Sequence, residues 1–163
     1  MYPKQKAVIL GLGNLLLGDE GFGIHALKTI QAKLSVSDEV EYIDGGVMGL
    51  ELLPVVESCR YLLVLDAIDA KKPPGTLIEL EKANIPLLGA SHLSEHQIGF
   101  QEVLGMARWR DALPDYMHLI GVQPSSLVIG VDLSPEVEVR LLDVTLRAKK
   151  ILMAWGFFAQ DRS

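Results

Sequence analysis

The run Tyr61-Leu62-Leu63-Val64-Leu65, closed by Asp66, is apolar at every position. A strand with one face in water alternates polar and apolar residues. A run with no alternation is buried on both sides, as in an interior strand of a parallel sheet covered by helices above and below. The same rhythm repeats upstream. Ala7 to Leu12 is a short apolar run followed by the amphipathic stretch Ile24 to Leu34, and Val40 to Ile43 is another, followed by Met48 to Cys59. Short apolar runs alternating with longer amphipathic ones predict βαβ units. The predicted fold class is α/β, a three-layer α/β/α sandwich around a mostly parallel, twisted central sheet.

Downstream, Lys71-Lys72-Pro73-Pro74-Gly75 reads as a turn and Thr76 to Glu81 as a strand. The connection is too short for a helical crossover, so this strand is expected to be antiparallel and the sheet mixed. Ser94, with Gln97 three residues later, has the form of a capping box ahead of Ile98, Phe100, Val103, Leu104 and Ala107, which places His96 in the first turn of a helix. Met117 to Val122 is the next core strand. Ser134-Pro135-Glu136 supplies a cap, an N1 proline and a first-turn acid for a closing helix that reaches about Trp155. With no repeat or linker-like tract, residues 1–163 are expected to form one domain, frayed over Gln160 to Ser163.

Composition narrows the function classes. Of 163 residues, 49% are hydrophobic and 22% charged, which favours a packed core over disorder. Fifteen Lys and Arg against 21 Asp and Glu give a formal charge of −6, the wrong sign for nucleic acid or an anionic membrane surface. No stretch approaches the roughly 20 apolar residues of a membrane span. Cys59, the single cysteine, cannot form an internal disulfide, and the apolar run after Met1-Tyr2-Pro3-Lys4-Gln5-Lys6 is too short for a signal peptide. The expected location is the cytoplasm.

The most unusual stretch is the loop after the first strand, from Gly11-Leu12-Gly13-Asn14 to Gly18-Asp19-Glu20-Gly21-Phe22-Gly23. Its first two glycines resemble a dinucleotide fingerprint, but position 16 is Leu where the third glycine belongs. Gly13 to Gly18 has P-loop spacing yet is followed by Asp19-Glu20 in place of Lys and a hydroxyl residue. A phosphate there would meet two carboxylates, so no nucleotide cofactor is expected. Asp19 reads as a helix N-cap or first-turn acid worth about 1 kcal/mol. Gly21 and Gly23 weaken that turn by about 1 kcal/mol each, which implies that something approaches the backbone closely.

In a parallel sheet the ligand crevice lies outside the carboxyl ends of the strands. Three acids are predicted there: Glu20 after the first strand, Asp44 at the end of the second and Asp66 at the end of the third. Two carboxylates about 5 Å apart repel by roughly 3 kcal/mol at an effective dielectric of 20. Such a set calls for a cation or a shared proton. With His96 as a nitrogen donor it suits zinc, nickel or another divalent transition metal. His92-Leu93-Ser94-Glu95-His96 also matches the H-x-x-E-H zinc-protease motif. That motif needs one continuous helix, and a cap at Ser94 breaks it, which leaves His92 a surface role. Cys59 reads as core, His25 and His118 as structural. The absence of a G-x-S-x-G motif leaves serine hydrolase chemistry unsupported.

Gly11-Leu12-Gly13-Asn14, Gly18-Asp19-Glu20, Asp44-Gly45-Gly46, Leu65-Asp66-Ala67, His96-Gln97-Ile98-Gly99 and Gly121-Val122-Gln123-Pro124, in that order, resemble the nickel-iron hydrogenase maturation proteases over nearly the whole chain. The resemblance implies an endopeptidase that removes a C-terminal extension from the hydrogenase large-subunit precursor after nickel insertion. It implies Glu20, Asp66 and His96 as metal ligands and Asp44 as a further acid of the cleft. Nickel is expected to arrive with the substrate, and zinc or cadmium could take the same position. The His-Gln-Ile-Gly form is closer to the uptake-hydrogenase branch. The catalytic acids implied are Asp44, Asp66 and Glu20, by either of two routes: metal-assisted attack with a carboxylate base, or an aspartic-type pair of Asp44 and Asp66. A monomer is expected. Readings from other classes are a recognition module that binds the precursor without cutting it, and a nucleotide-binding domain with Asp44 on a ribose.

Overall fold

The computed structural model describes residues 6–85, 95–125 and 128–158, giving the backbone alone for 95–98. The strands are β1 (Ala7–Leu12), β2 (Val40–Gly46), β3 (Tyr61–Ala67), β4 (Leu77–Glu81) and β5 (Tyr116–Val122). The helices are α1 (Phe22–Lys33), α2 (Leu53–Ser58), α3 (Glu95–Trp109), α4 (Pro135–Glu138) and α5 (Arg140–Trp155). The strands form one sheet in the order β2-β1-β3-β5-β4. β1 runs parallel to β2 and β3, β3 parallel to β5, and β4 antiparallel to β5. This is the mixed sheet expected from the short turn before Thr76.

Two cores line the two faces. On one, Ala7, Ile9, Leu63 and Leu65 meet Phe22, Ala26 and Ile30 of α1 and Val144, Ala148 and Leu152 of α5. On the other, Val8, Leu10, Leu62 and Val64 meet Val56 of α2 and Phe100, Val103, Leu104 and Ala107 of α3. Leu62, Leu63, Val64 and Leu65 are all fully buried, because consecutive side chains of β3 serve opposite cores. Burial of that kind contributes about 2 kcal/mol for each such side chain.

Topology fixes where a ligand can sit. The step from β1 through α1 to β2 moves to one side of β1, and the step through α2 to β3 moves back past it. Right-handed crossovers in opposite directions place their helices on opposite faces, as α1 and α2 are here. The chains leaving β1 and β3 therefore part at their carboxyl ends and open a crevice between them, the topological switch point of the sheet.

Three local expectations are corrected. The stretch Met48 to Cys59 is a single-turn 3₁₀ segment at Leu50–Leu52 running into the short α2, because Pro54 occupies the first turn, where its missing N–H costs nothing. Cys59 is buried just beyond α2, its Sγ 3.6 Å from the Val56 carbonyl. The closing helix is divided into α4 and α5, and Ser134 does not cap it with its side chain. The predicted cap at Ser94, His92 and the tail from Gln160 lie outside the described residues.

Candidate active site

Glu20 lies in a 3₁₀ turn, Gly18–Gly21, between β1 and α1, and is 7% exposed. Its position is set by backbone. Gly13 has φ +132°, and a Cβ there would stand 1.9 Å from the Glu20 carbonyl oxygen, which accepts the Asn14 N–H at 3.2 Å. Only glycine allows that approach. A Cβ on Gly23 would meet the carbonyl oxygens of Leu12 at 2.2 Å and Leu65 at 2.3 Å. What approaches this glycine is the protein's own sheet: the start of α1 is wedged over the β1/β3 crevice, and the turn carrying Glu20 is held at its mouth.

Asp66 occupies the penultimate position of β3 and is 2% exposed, its Oδ1 accepting the Ala67 N–H at 2.8 Å. The pleat puts it on the face of Leu62 and Val64, the side covered by α2 and α3. α3 ends near the amino edge, where residues 110–115 lead into β5. Its other end, with the backbone of His96 in the first turn, therefore points to the carboxyl edge that holds Asp66. The His96 side chain lies outside the described residues.

Asp44 is different. It is exposed, and its Oδ1 accepts the Gly46 N–H at 3.0 Å. In the parallel register it shares a row with Gly11 and Leu65, on the α1 side of the sheet, whereas Asp66 belongs to the opposite side. A bulge follows at once, Gly11 pairing with Asp44 and Leu12 with Gly46. Glu20 and Asp66 are both buried, on a turn and a strand end that adjoin at the carboxyl edge of the sheet, whereas Asp44 is exposed at the end of β2.

Leu17 holds the N-cap position of the Gly18–Gly21 segment and Gly21 that of α1. Asp19 does lie in the first turn of the Gly18–Gly21 segment, but it is not an N-cap. Fully buried, its Oδ1 accepts the Ser134 N–H at 2.7 Å, and its Oδ2 accepts the Ser125 N–H at 2.8 Å and the Ser134 hydroxyl at 2.7 Å. The hydroxyl that the sequence offers as a helix cap is used here instead. One carboxylate thus ties the turn bearing Glu20 to the segment that follows β5. Backbone bonds reinforce the tie, with Gly18 N–H donating to Gly130 O and Gly130 N–H to Leu16 O, both at 2.8 Å.

Gln123, quoted in the sequence motif but given no role there, is a second such tie. It is 7% exposed; its Oε1 accepts the N–H groups of Ala70 at 2.7 Å and Lys72 at 3.2 Å, and its Nε2 donates to Asp69 Oδ1 at 3.2 Å. The Gln123 amide, then the Lys71 backbone and ammonium, hold the Asp69 carboxyl below the usual aspartate range. The chain just beyond Asp66 is fastened in this way. The available signal was a lone amide ending an apolar strand before Pro124.

The remaining candidates sit elsewhere. His118 pairs with Glu79 at 2.8 Å between β5 and β4, and Glu79 also takes Arg147 of α5 at 2.6 Å. His25 Nε2 is buried without a hydrogen-bond partner among the described residues. A cavity of about 190 Å³ lined by Lys82, Gln101, Leu104, Arg108 and Met117 opens at the amino edge, away from the acids. No group of three or more potential metal-binding side chains converges among the described residues.

Comparison with known proteins bears on this arrangement. The HycI family model, described as hydrogenase maturation protease, matches residues 24–150. The hydrogenase expression/formation protein HupD of Thiocapsa roseopersicina is 40% identical over 164 residues, 99% of this chain and 74% of that protein. The hydrogenase 2 maturation protease of Escherichia coli K12 is 36% identical over 135 residues, 82% of either chain. Among solved structures, the hydrogenase maturating endopeptidase HybD of E. coli superposes with a TM-score of 0.91 at 33% identity, covering 97% of this chain and 98% of that one. Fold, motif order and relatives agree, and the chain belongs to the hydrogenase maturation protease family.

Proposed function

We propose that the protein is the endopeptidase that removes the C-terminal extension of a nickel-iron hydrogenase large-subunit precursor once nickel has been inserted. The observation that carries this reading is the pair of buried carboxylates, Glu20 and Asp66, at the switch-point crevice of a chain whose relatives are hydrogenase maturation proteases. Two carboxylates facing one crevice would attract a cation or a shared proton. The donor set named by the family resemblance, two carboxylates and one imidazole, suits a divalent transition metal with coordination positions left open. In this reading nickel comes with the precursor as the mark of readiness, and zinc or cadmium can take its position.

The chain's own residues then act as follows. Glu20 and Asp66, with His96, hold the metal-bearing end of the precursor at the mouth of the crevice, the backbone around Gly13 and Gly23 keeping Glu20 rigid. A metal held by these residues would supply the positive charge that polarises the scissile carbonyl. A carboxylate of the same crevice accepts the proton of the attacking water. Asp44, on the rim with one oxygen engaged by Gly46, is suited to contact the incoming peptide. Because the pleat assigns Asp44 and Asp66 to opposite sides of the sheet, the geometry favours metal-assisted attack over an aspartic-type pair. The protein is taken to work as a monomer in the cytoplasm; no helix among the described residues is long and apolar enough to cross a membrane.

The test is an intact-mass measurement on nickel-loaded and nickel-free precursor incubated with wild type and with Glu20→Gln. Release of a single C-terminal peptide by wild type from nickel-loaded precursor alone is the expected result. Tight binding with no change of mass would make the protein a recognition module.

A further inference from the structure

Half of the exposed large apolar side chains among the described residues lie on three loops at the carboxyl edge of the sheet. Leu16 (64% exposed) stands on the loop after β1, Val47 and Leu50 (60% and 61%) on the loop after β2, and Ile129 and Val131 (88% and 57%) on the segment after β5. Main-chain hydrogen bonds join these loops to one another. Gly13 N–H donates to Gly46 O at 2.9 Å, joining the first two, and the reciprocal bonds of Gly18 and Leu16 with Gly130 join the first and third. The turn carrying Glu20 and the buried carboxylate of Asp19 lie within the same joined set.

We infer that this rim is the docking surface for the precursor and that it receives apolar side chains flanking the scissile segment. The inference rests on the endopeptidase reading above. Three features of the rim point to that occupant. It is continuous with the acid crevice, so a protein lying on it has its peptide over Glu20 and Asp66. Its apolar residues sit on the connections between strands and helices, where exposure has no role in the core and binding residues concentrate. The loops are held by paired backbone groups and by Asp19, so little ordering entropy is lost on docking. Asp44, Glu51 and Asp132, exposed neighbours in sequence of the apolar residues, add negative charge to these loops, so the matching precursor surface is aliphatic with basic residues among its contacts.

Leu16→Ser, Leu50→Ser and Ile129→Ser, singly and combined, test the assignment, with Leu142→Ser and Met153→Ser on the outer side of α5 as controls. All five positions are exposed, so melting temperatures should stay near that of wild type. Two quantities are read on nickel-loaded precursor: the equilibrium Kd by titration, and KM and kcat by mass. The triple variant should weaken binding and raise KM at least tenfold with kcat within about twofold, while the controls change neither by more than twofold. A folded triple variant with wild-type Kd overturns the rim. So does a wild-type dimer in sedimentation that the triple variant converts to monomer, since the rim would then be covered by a second copy. Binding without cleavage by wild type would remove the endopeptidase reading and leave the rim to be judged by Kd alone.

Discussion

Replacing Asp19 with Ala removes, from a fully buried position, the acceptor of three hydrogen bonds donated by described residues. Hydrogen bonds to a charged group contribute about 1.5–3 kcal/mol each, and buried donors left unpaired cost about 1–3 kcal/mol. The sum is not reached. Ser125 is exposed and Ser134 half-buried, so water can reach part of what is orphaned, and the desolvation cost of the carboxylate disappears with it. A net loss of about 3 kcal/mol is expected, which for a chain of this length lowers the melting temperature by about 6–12 °C. Asn retains the shape and one acceptor oxygen but points an amide toward a donor, so Asp19→Asn should lose roughly half as much. Calorimetry gives the stabilities, and amide hydrogen exchange at Ser125 and Ser134 localises them. Both amides should lose protection in Asp19→Ala while those of β3 keep theirs. A melting temperature within about 2 °C of wild type, with unchanged exchange at both serines, would refute the claim that Asp19 fastens the two segments.

Two further outcomes can be measured directly. Gly13→Ala places a methyl 1.9 Å from the Glu20 carbonyl at a φ of +132°; a loss above about 3 kcal/mol by urea unfolding, together with loss of precursor cleavage, is expected, and wild-type behaviour in both would show that Glu20 is not set by this contact. For Glu79, burial acts to raise the carboxyl, but hydrogen bonds and charge from Arg147 and His118 outweigh it and leave it below the usual glutamate range. A lowered folded pKa adds stability that is present above the unfolded value and lost as pH falls through the folded one. Glu79→Gln should therefore cost about 1 kcal/mol at neutral pH and nothing in acid, and a gap that persists at pH 2 would refute the assignment.

The fold was legible because a strand buried on both faces leaves a continuous apolar run, as Tyr61 to Leu65 does, and because helices that cover it leave amphipathic ones. Asp66 was legible for a related reason: an acid closing such a run stands at the carboxyl edge by construction. Local chemistry misled where distant partners claimed it. Ser134 before Pro135 has every mark of a helix cap, yet its hydroxyl serves a carboxylate 115 residues away. Asp19 beside Glu20 does stand in a first turn, but its carboxylate is taken by Ser125 and Ser134, far along the chain. The glycines after β1 signalled close approach correctly, but no single sequence distinguishes a ligand from the carbonyls of Leu12 and Leu65. The apolar rim was likewise hidden, since Leu16, Leu50 and Ile129 are indistinguishable by composition from residues destined for the core.

The bonds between Asp19 and Ser134 also set an order of events during synthesis. At about 5–20 residues per second, Ser134 is added on the order of ten seconds after Asp19. Until then the turn bearing Glu20 has its backbone neighbours in the amino-terminal half but not the clamp that closes over it. A ribosome-bound or truncated chain ending before Ser125 therefore carries Glu20 and Asp66 without the clamp that holds the Glu20 turn against the segment after β5.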